Sequence, residues 1–203
     1  MQKKSTPQAL QFDVLIVGSG LAGLSAALLL SEKYRVAIIT KRAVREGSSG
    51  WAQGGIAAVW DKADSFAAHV DDTLIAGAGL CDMAATQFVV EQAPQAIAWL
   101  QAMGVPFSTE HNGDLHLTRE GGHSARRIVH VTDATGAAVQ ATLIAKVKAT
   151  PGITVFEHHM LVDLITHKKL VSQADHTEPR CHGVYALNET LDQVVTFSAP
   201  HTI

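Results

Sequence analysis

Apolar residues come in short runs over the first forty positions of the chain. Phe12–Val17 (FDVLIV) and Arg35–Thr40 (RVAIIT) are rich in β-branched and aliphatic residues, as buried parallel strands are. The intervening run LSAALLLSEK, positions 24–33, is apolar on most faces, which is typical of a helix packed on a sheet. The pattern predicts a β-α-β unit, and therefore an α/β fold with a central parallel sheet.

Helical spacing of apolar residues recurs in three later segments. Asp64–Ala76 and Asp82–Met103 are predicted helices, and the first Asp of each is the expected N-cap. Pro94 is expected to divide the second helix into two pieces, and Gly104 to cap its end. Thr135–Thr150 is the third predicted helix. Its apolar residues fall on one face, which we expect to be buried: Val139, Leu143 and Val147.

Strands and loops account for most of the remaining positions. The Asn112-Gly113 pair predicts a hairpin turn within Val105–Leu117. Lys168–Cys181 is polar and is predicted to be a surface loop. Four short apolar runs are strand candidates: Ile153–Phe156, Met160–Ile165, Val184–Asn188 and positions 194–203.

The composition narrows the possible classes of protein. Of the 203 residues, 47% are hydrophobic and 17% are charged, and the net charge of −3 gives no reason to expect a nucleic acid or an anionic membrane as partner. No apolar run is long enough to span a bilayer, and positions 1–11 are a polar N-terminal extension without a signal-peptide core. Cys81 and Cys181 form no Cys-x-x-Cys pattern, so we expect unpaired thiols in a reducing cytoplasm.

A glycine motif follows the first predicted strand directly, with Gly18, Gly20 and Gly23 spaced as Gly-x-Gly-x-x-Gly. Gly18 permits a tight turn, Gly20 lets a phosphate approach the backbone, and Gly23 lets helix and strand pack closely. The unpaired amides and positive dipole end of the next helix attract a pyrophosphate. A glycine turn without a ligand is the alternative, but the flanking strand and helix favour a Rossmann-like dinucleotide-binding domain.

The second predicted strand ends in Thr40-Lys41, where NAD-binding domains carry an acidic residue for the ribose hydroxyls. A cation at this position argues against the usual NAD site. The next stretch, Arg42–Ala58, contains GSSGWAQGGIAA. Its glycines are compatible with a flexible linker, but Trp51 and Ile56 are poor linker residues, so we expect a loop ordered around a ligand.

Charged residues are concentrated in His116–Thr135 (HLTREGGHSARRIVHVTDAT), around Gly121-Gly122. Two interpretations stay open: the arginines form a solvated face, or the glycines let the loop lie against a flat ligand beside a small charged substrate. In the second case Glu120 would bind an ammonium group of the substrate, and the guanidinium group of an arginine would bind a carboxylate of the substrate. A metal site is not expected, because no cysteine joins the four nearby histidines and their spacing is not that of ligand pairs: His111, His116, His123 and His130.

Five segments in this order resemble the flavoproteins of the succinate dehydrogenase and fumarate reductase superfamily: FDVLIVGSGLAGLSAAL, VAIITK, EGSSGWAQGGIAAV, HLTREGGHS and DATG. Within the superfamily the chain is most similar to the L-aspartate oxidase group. The resemblance runs from about Phe12 to the last strand. It implies that positions 12–203 form a Rossmann-like FAD/NAD(P)-binding domain, that its cofactor is FAD, and that the chain stops before the capping domain.

The family pattern implies which residues would contact FAD. Ser19–Ala22 would hold the pyrophosphate, Lys41 stands in place of the ribose-binding acid, and Ser48–Gly55 would line the isoalloxazine and phosphates. The backbone of Met160 and Leu161 would contact the adenine, although Trp51 as a core residue and Met160 as a packing residue are open alternatives. The implied cofactor residues are Gly18, Ser19, Gly20, Leu21, Ala22, Gly23, Lys41, Ser48, Ser49, Gly50, Trp51, Ala52, Gln53, Gly54, Gly55, Met160 and Leu161.

Two local features distinguish members of the superfamily. Members with covalent FAD carry a histidine seven residues before the first glycine of Ala-Gln-Gly-Gly, but Gly47 occupies that position here, so the resemblance implies noncovalent FAD. Members that act only on dicarboxylates carry phenylalanine before the Gly-Gly pair of the substrate loop, whereas this chain carries Glu120. A buried carboxylate requires a cationic partner, and the ammonium group of aspartate supplies one.

The resemblance implies oxidation of L-aspartate to iminoaspartate, with hydride transfer to the flavin and with oxygen or fumarate as the acceptor. The product would enter quinolinate and NAD biosynthesis, which makes quinolinate synthase a possible partner. Superfamily members continue into capping and helical domains that carry the catalytic arginine and the carboxylate-binding histidines. The 203 residues are therefore expected to be an N-terminal portion that is inactive alone. A fumarate reductase-like or succinate dehydrogenase-like flavoprotein and a non-catalytic FAD-binding module are the alternatives.

Overall fold

The computed structural model describes residues 9–132, 134–170 and 180–203. The chain divides into two compact units, which are named here by their order in the sequence. Ser49–Thr142 is the inner unit, and the described residues of Met1–Ser48 and Leu143–Ile203 are the outer unit. A 3-10 turn spans Ser48–Trp51. In chain order the other elements are β1 (Leu10–Gln11), β2 (Val14–Val17), α1 (Leu21–Leu30), β3 (Val36–Ile39), β4 (Ile56–Ala57), α2 (Phe66–Ala76), α3 (Met83–Met103), β5 (Leu117–Thr118), β6 (Ile128–Val129), α4 (Thr135–Ala149), β7 (Ile153–Phe156), β8 (His159–Thr166), α5 (His167–Leu170), β9 (Cys181–Asn188), β10 (Gln193–Ser198) and β11 (His201–Thr202).

A parallel sheet in the order β11-β2-β3-β7 lies in the outer unit. Val14 pairs with Val36, and Val36 pairs with Ile153 on the other side. Every residue of β3 is buried, as expected of an interior strand flanked by two neighbours. The predicted β-α-β unit and central parallel sheet are therefore confirmed, although α1 begins and ends three residues earlier than the apolar run at 24–33 suggested.

A second sheet in the outer unit has the order β1-β10-β9-β8 and is antiparallel except for the β1–β10 pair. Leu10 and Gln11, which the sequence analysis placed in the polar extension, form β1. The final apolar run is not one strand, because Ala199-Pro200 separates β10 from β11, and proline cannot donate to a ladder. One core joins residues of both sheets of this unit: Leu15, Ala37, Ile39, Val184, Ala186, Phe197 and Ala199.

The inner unit contains α2, α3 and the small antiparallel sheet β4-β6-β5. The prediction that Asp64 caps α2 is wrong: Ser65 is the N-cap, and its hydroxyl accepts a hydrogen bond from the Ala68 amide. The prediction that Pro94 divides α3 is also wrong. The helix runs unbroken through Pro94, because buried residues before and after the proline hold one face of the helix in the core: Val90, Ile97 and Leu100.

Other local predictions are confirmed. Asp82 caps α3 through the Ala85 amide, and Gly104 ends it with a φ of 98°. Helix α4 buries the predicted face, with Val139, Leu143 and Val147 at most 2% exposed.

The predicted hairpin keeps its turn but has little strand structure. Gly113 has a φ of 89° and donates its amide to the Glu110 carbonyl. Backbone hydrogen bonds from Glu110 to Asp114 and from His116 to Ser108 join the two arms, which form an isolated bridge at Thr109–Leu115 instead of two strands. The predicted loop Lys168–Cys181 begins instead inside α5 and ends at the first residue of β9, and residues 171–179 lie outside the described part of the chain. Among the described residues, no helix is both long and apolar enough to cross a membrane.

Candidate functional site

The glycine turn of the outer unit connects β2 to α1 and leaves its backbone open. Gly18 has a φ of 121°, which a residue with a side chain rarely adopts. Gly20 is the N-cap of α1. In the part of the chain that the structure describes, no side chain caps this helix end, and a Cβ on Gly18 or Gly20 would meet no atom within 4 Å. At Gly23, by contrast, a Cβ would overlap the Gly18 carbonyl oxygen. The first and second glycines therefore face open space, whereas the third is required by packing.

The end of β3 lies beside this turn. The Gly18 amide donates to the Ile39 carbonyl at 2.9 Å, and the Ser19 hydroxyl donates to the Thr40 hydroxyl at 3.0 Å. Ser19 and Thr40 are both buried, and Lys41, the next residue, is exposed. The structure thus places Lys41 at the carboxyl edge of the parallel sheet, where the sequence had predicted the ribose end of a dinucleotide site.

Met160 and Leu161 lie on β8, the outermost strand of the second sheet. They pair with Leu187 and Ala186 of β9, and the ladder shifts register immediately after Leu161. The side chains of Met160 and Leu161 are 40% and 38% exposed, so neither is a core residue. An edge strand has one side of its backbone without a ladder partner, which leaves peptide groups here for a ligand.

The glycine-rich segment of the inner unit, Ser49–Gly55, is held by close packing at specific glycines. The Gly136 amide donates to the Ala52 carbonyl at 3.0 Å, and a Cβ on Gly136 would overlap the Ser49 carbonyl. A Cβ on Gly50 would lie 2.6 Å from Oε1 of Gln140, and one on Gly55 would overlap Ile128. The first turn of α4 and strand β6 therefore fix this segment, which agrees with an ordered loop rather than a linker.

Several residues of this segment remain exposed. Trp51 is 86% exposed, so the alternative that it is a core residue is wrong for this structure. Ala52, Gln53 and Gly54 are exposed as well, as is Ser48, which precedes the segment in the chain. A large exposed aromatic side chain beside open backbone is a feature of ligand and interface surfaces.

The predicted substrate loop lies against the same segment within the inner unit. Oε1 of Glu120 accepts a hydrogen bond from the Gly55 amide at 3.4 Å, and a Cβ on Gly54 would be 3.6 Å from the same oxygen. Glu120 itself is exposed, so the expectation of a buried carboxylate is wrong for this structure, and its carbonyl accepts the His123 amide at 3.3 Å across Gly121-Gly122. The loop therefore presents a carboxylate next to the glycine-rich segment.

Arg127 is fully buried, so the interpretation of the arginines as a solvated face is wrong for this residue. Its Nε and Nη2 donate to the two oxygens of Asp64 at 2.8 and 2.7 Å, and Nη1 donates to Asp72 at 2.6 Å. Asp72 also accepts the Ser124 amide and hydroxyl, each at 2.7 Å. Arg126 remains exposed. Arg127, one of the arginines that the sequence offered as a substrate ligand, is thus a structural group.

The pKa values of this cluster agree with a network that is ionised near neutral pH. Burial alone would raise the pKa of Asp64, but hydrogen bonds from Arg127 and the Ser65 amide outweigh it and leave the pKa lowered. The amide and hydroxyl of Ser124, followed by Arg127, lower the pKa of Asp72 to about 2. The hydrogen bonds to Asp64, followed by those to Asp72, raise the pKa of Arg127 against the opposing effect of burial.

Asp64 and Asp72 were not predicted as partners of Arg127. They lie 63 and 55 residues before it in the chain, so no local spacing connects them. The sequence carried one signal, its composition. Only 17% of the residues are charged, and a charged side chain that is fully buried almost always has a partner.

Histidines of the inner unit form two pairs. Nδ1 of His116 lies 2.8 Å from Nε2 of His130, and the rings of His69 and His123 meet edge to face at 5.5 Å. Burial lowers the pKa of His69, as do the charge of Arg127 and the proximity of His123. Among the described residues, no group of three or more metal-ligating side chains is arranged to hold a metal ion.

Known proteins resemble the chain closely in sequence and fold. L-aspartate oxidase 1 of Ralstonia nicotianae is 54% identical over 96% of this chain and 36% of its own length. The L-aspartate oxidase of Pseudomonas aeruginosa is 47% identical over 97% of this chain and 37% of its own length. The solved structure of E. coli quinol fumarate reductase FrdA, in a mutant form, superposes with a TM-score of 0.87 at 28% identity, covering 96% of this chain and 32% of that one. The chain thus spans about a third of the relatives it matches.

The glycine turn fits the cofactor that these comparisons imply. Its backbone is open above Gly18 and Gly20, no side chain caps α1, and the first turn of α1 carries no acidic residue that would repel a pyrophosphate. The family described as "FAD binding domain" matches residues 13–203, nearly the whole chain. The chain therefore belongs to the FAD-binding domain family, with FAD as its cofactor.

Proposed function

We propose that the chain is the FAD-binding part of an L-aspartate oxidase, which converts L-aspartate to iminoaspartate with oxygen or fumarate as the final acceptor. One observation carries the proposal beyond the family: Glu120 lies 3.4 Å from the Gly55 amide, so a carboxylate adjoins the segment assigned to the isoalloxazine. Relatives at 54% and 47% identity that bear the name L-aspartate oxidase support the same activity.

The outer unit would bind the nucleotide part of FAD noncovalently. The amides at the start of α1, together with the helix dipole, would hold the pyrophosphate above Gly18 and Gly20. Lys41, exposed at the end of β3, would lie at the ribose, where its charge also balances phosphate. The backbone of Met160 and Leu161 would contact the adenine at the edge of β8 that has no ladder partner among the described residues.

The inner unit would supply the contacts to the flavin ring and to the substrate. Bound FAD supplies the two-electron redox chemistry of the reaction. Residues 49–55 with the preceding Ser48 would line the ring, and Trp51 offers a large aromatic face that the protein leaves exposed. Glu120 would bind the substrate ammonium, which orients the Cα–H bond for oxidation and disfavours dicarboxylates that lack a cationic group.

A fumarate reductase-like activity is the second candidate, favoured by the TM-score of 0.87 with quinol fumarate reductase. The two candidates differ at Glu120. If the chain serves an aspartate oxidase, Glu120→Phe abolishes aspartate oxidation and leaves fumarate reduction nearly unchanged. If it serves a fumarate reductase, aspartate oxidation is absent before any substitution is made.

A chimera tests the activity directly. This chain replaces the matching 36% of the Ralstonia nicotianae relative, and peroxide release is measured with L-aspartate, D-aspartate and succinate. We expect peroxide with L-aspartate only. Succinate oxidation without aspartate oxidation would support the second candidate. The chain alone, loaded with FAD, is assayed in parallel.

Two further features follow from this proposal. The iminoaspartate product would be condensed into quinolinate, which makes quinolinate synthase the proposed partner in NAD biosynthesis. The cytoplasm is the proposed location, and the unpaired thiols Cys81 and Cys181 are suited to a reducing compartment. Co-purification of the chimera with quinolinate synthase tests the first point.

A further inference from the structure

We infer that His123 donates a hydrogen bond from Nε2 to a carboxylate of the amino-acid substrate, and that Arg127 is a positioning residue that holds His123 in the required tautomer. The inference rests on the proposed function, since it assumes that the substrate is an α-amino acid. It adds a second substrate contact to Glu120 in the same loop.

The tautomer follows from the chemistry of the contact between the two side chains. Nη1 of Arg127 lies 3.4 Å from Nδ1 of His123. A guanidinium has only N–H donors and no acceptor, so Nδ1 must offer its lone pair. The ring proton of the neutral imidazole therefore lies on Nε2, at the opposite side of the ring.

Arg127 can impose this arrangement because its own position is fixed. Three of its N–H groups are bound by Asp64 and Asp72, and its side chain is fully buried. The backbone next to His123 is fixed as well, because the Ser124 amide donates to Asp72. A fixed hydrogen-bond partner that sets the tautomer and the orientation of a functional imidazole is a recurring arrangement in active sites.

Two neighbours contact the His123 ring, and among the residues that the structure describes its Nε2 has no hydrogen-bond partner. Nδ1 faces Arg127, and the ring of His69 packs edge to face at 5.5 Å. His69 is 5% exposed, and burial lowers its pKa, so an uncharged ring lies against His123. Although a neutral His69 keeps one acceptor nitrogen, and its Nδ1 has no partner among the described residues, the contact between the two rings is a packing contact and not a hydrogen bond.

Glu120 and His123 are joined in one tight turn. The Glu120 carbonyl accepts the His123 amide at 3.3 Å, and Gly122 has a φ of 84° that the turn requires. The turn thus carries a carboxylate acceptor and an imidazole donor three residues apart. An α-amino acid carries the complementary pair, an ammonium and a carboxylate, whereas succinate and fumarate carry no ammonium.

A spectroscopic experiment tests the tautomer without any need for FAD or turnover. The chain is labelled with 15N-histidine, and long-range proton–nitrogen correlation spectra are recorded at pH 7.5, with His123→Gln used to assign the His123 signals. We expect a protonated Nε2 and an unprotonated, hydrogen-bonded Nδ1. A proton on Nδ1, or rapid exchange between the two tautomers, would overturn the role of Arg127.

Matched variants of the chimera test the substrate contact. The amide nitrogen of glutamine reaches the place of Nε2, whereas asparagine reaches only the place of Nδ1. We expect His123→Asn to raise the KM for L-aspartate at least 10-fold and His123→Gln less than 3-fold, with FAD affinity within 2-fold in both. His111→Asn, at the exposed turn beside Asn112, is the control and should change KM less than 2-fold.

The outcomes separate the two claims. Equal KM values for His123→Asn and His123→Gln, whether both are unchanged or both are raised, overturn the substrate contact of His123. The proposed function still stands in that case if the unsubstituted chimera oxidises aspartate. An unsubstituted chimera that binds FAD but does not oxidise aspartate overturns the proposed function, and with it the substrate contact of His123. The tautomer measured on the chain then decides the role of Arg127 by itself.

Discussion

The hydroxyl of Ser19 donates a hydrogen bond to the hydroxyl of Thr40 at 3.0 Å, and this bond ties the glycine turn to the end of β3. Both residues are buried, so the Ser19 side chain points into the protein. The backbone of the turn is consequently the part that faces the open space above Gly18 and Gly20. A phosphate held by amides alone needs this arrangement.

The Ser19–Thr40 bond gives a first prediction. Ser19→Ala and Thr40→Val should each lower the free energy of unfolding by about 1 kcal/mol. Each substitution removes one hydroxyl of the pair and leaves the other buried hydroxyl without its partner. The double variant should cost less than the sum of the two. Urea unfolding of the four proteins measures the coupling, and strictly additive losses would contradict the bond.

An added methyl group should lower the free energy of unfolding much more at Gly23 than at Gly20. Gly23→Ala forces a Cβ onto the Gly18 carbonyl and should lower the free energy of unfolding by about 2 kcal/mol or more. Gly20→Ala meets no described protein atom within 4 Å, so it should cost only the weaker N-cap preference of alanine, about 1 kcal/mol or less. Chemical denaturation distinguishes the two, and equal losses would mean that the turn is packed differently.

Much of the outer unit was predictable from local pattern. The buried run that became β2, the glycine turn and the apolar face of α4 each follow from spacing within one segment. The pairing of β8, β9 and β10 into a separate antiparallel sheet did not follow, because a short apolar run does not specify its partner. Pro94 was misjudged for a related reason: burial of Val90 and Ile97 on both sides outweighs one lost hydrogen bond.

Removal of the buried guanidinium should destabilise the inner unit strongly. Arg127→Met leaves Asp64 and Asp72 without their cation and should lower the free energy of unfolding by about 3 kcal/mol. Arg126→Met, at an exposed neighbour, is the control and should cost about 0.5 kcal/mol or less. Similar losses in the two variants would argue against the buried ion cluster.

Acid should weaken the same cluster. The folded-state pKa values of Asp64 and Asp72 lie below the ordinary value of 3.8, that of Asp72 at about 2. Their stabilising contribution is therefore present above that ordinary value and is lost as the pH falls towards about 2. Thermal unfolding of the unsubstituted chain and of Asp72→Asn should differ most above about pH 5 and converge near about pH 2. A constant difference across this range would show that Asp72 does not titrate with a lowered pKa.

The candidate site was predictable only where its residues are contiguous in the chain. Glu120 was identified from its place before Gly121-Gly122. In the structure its carboxylate lies beside the Gly55 amide, so its loop is in contact with the glycine-rich segment. The structural role of Arg127 was not predictable, because its partners come from α2 and from the residue before that helix's N-cap. Long-range ion pairs leave no periodic signal in sequence.

A titration of the folded chain with FAD tests directly whether the glycine turn binds FAD. Flavin fluorescence and amide spectra of the protein monitor the titration. We expect one FAD bound per chain, shifts of the Gly20, Leu21 and Ala22 amides, and at least 10-fold weaker FAD binding by Gly20→Ala, which stays folded. A folded chain that takes up no FAD, or FAD uptake that leaves these amides and the Gly20→Ala affinity unaltered, would contradict this expectation.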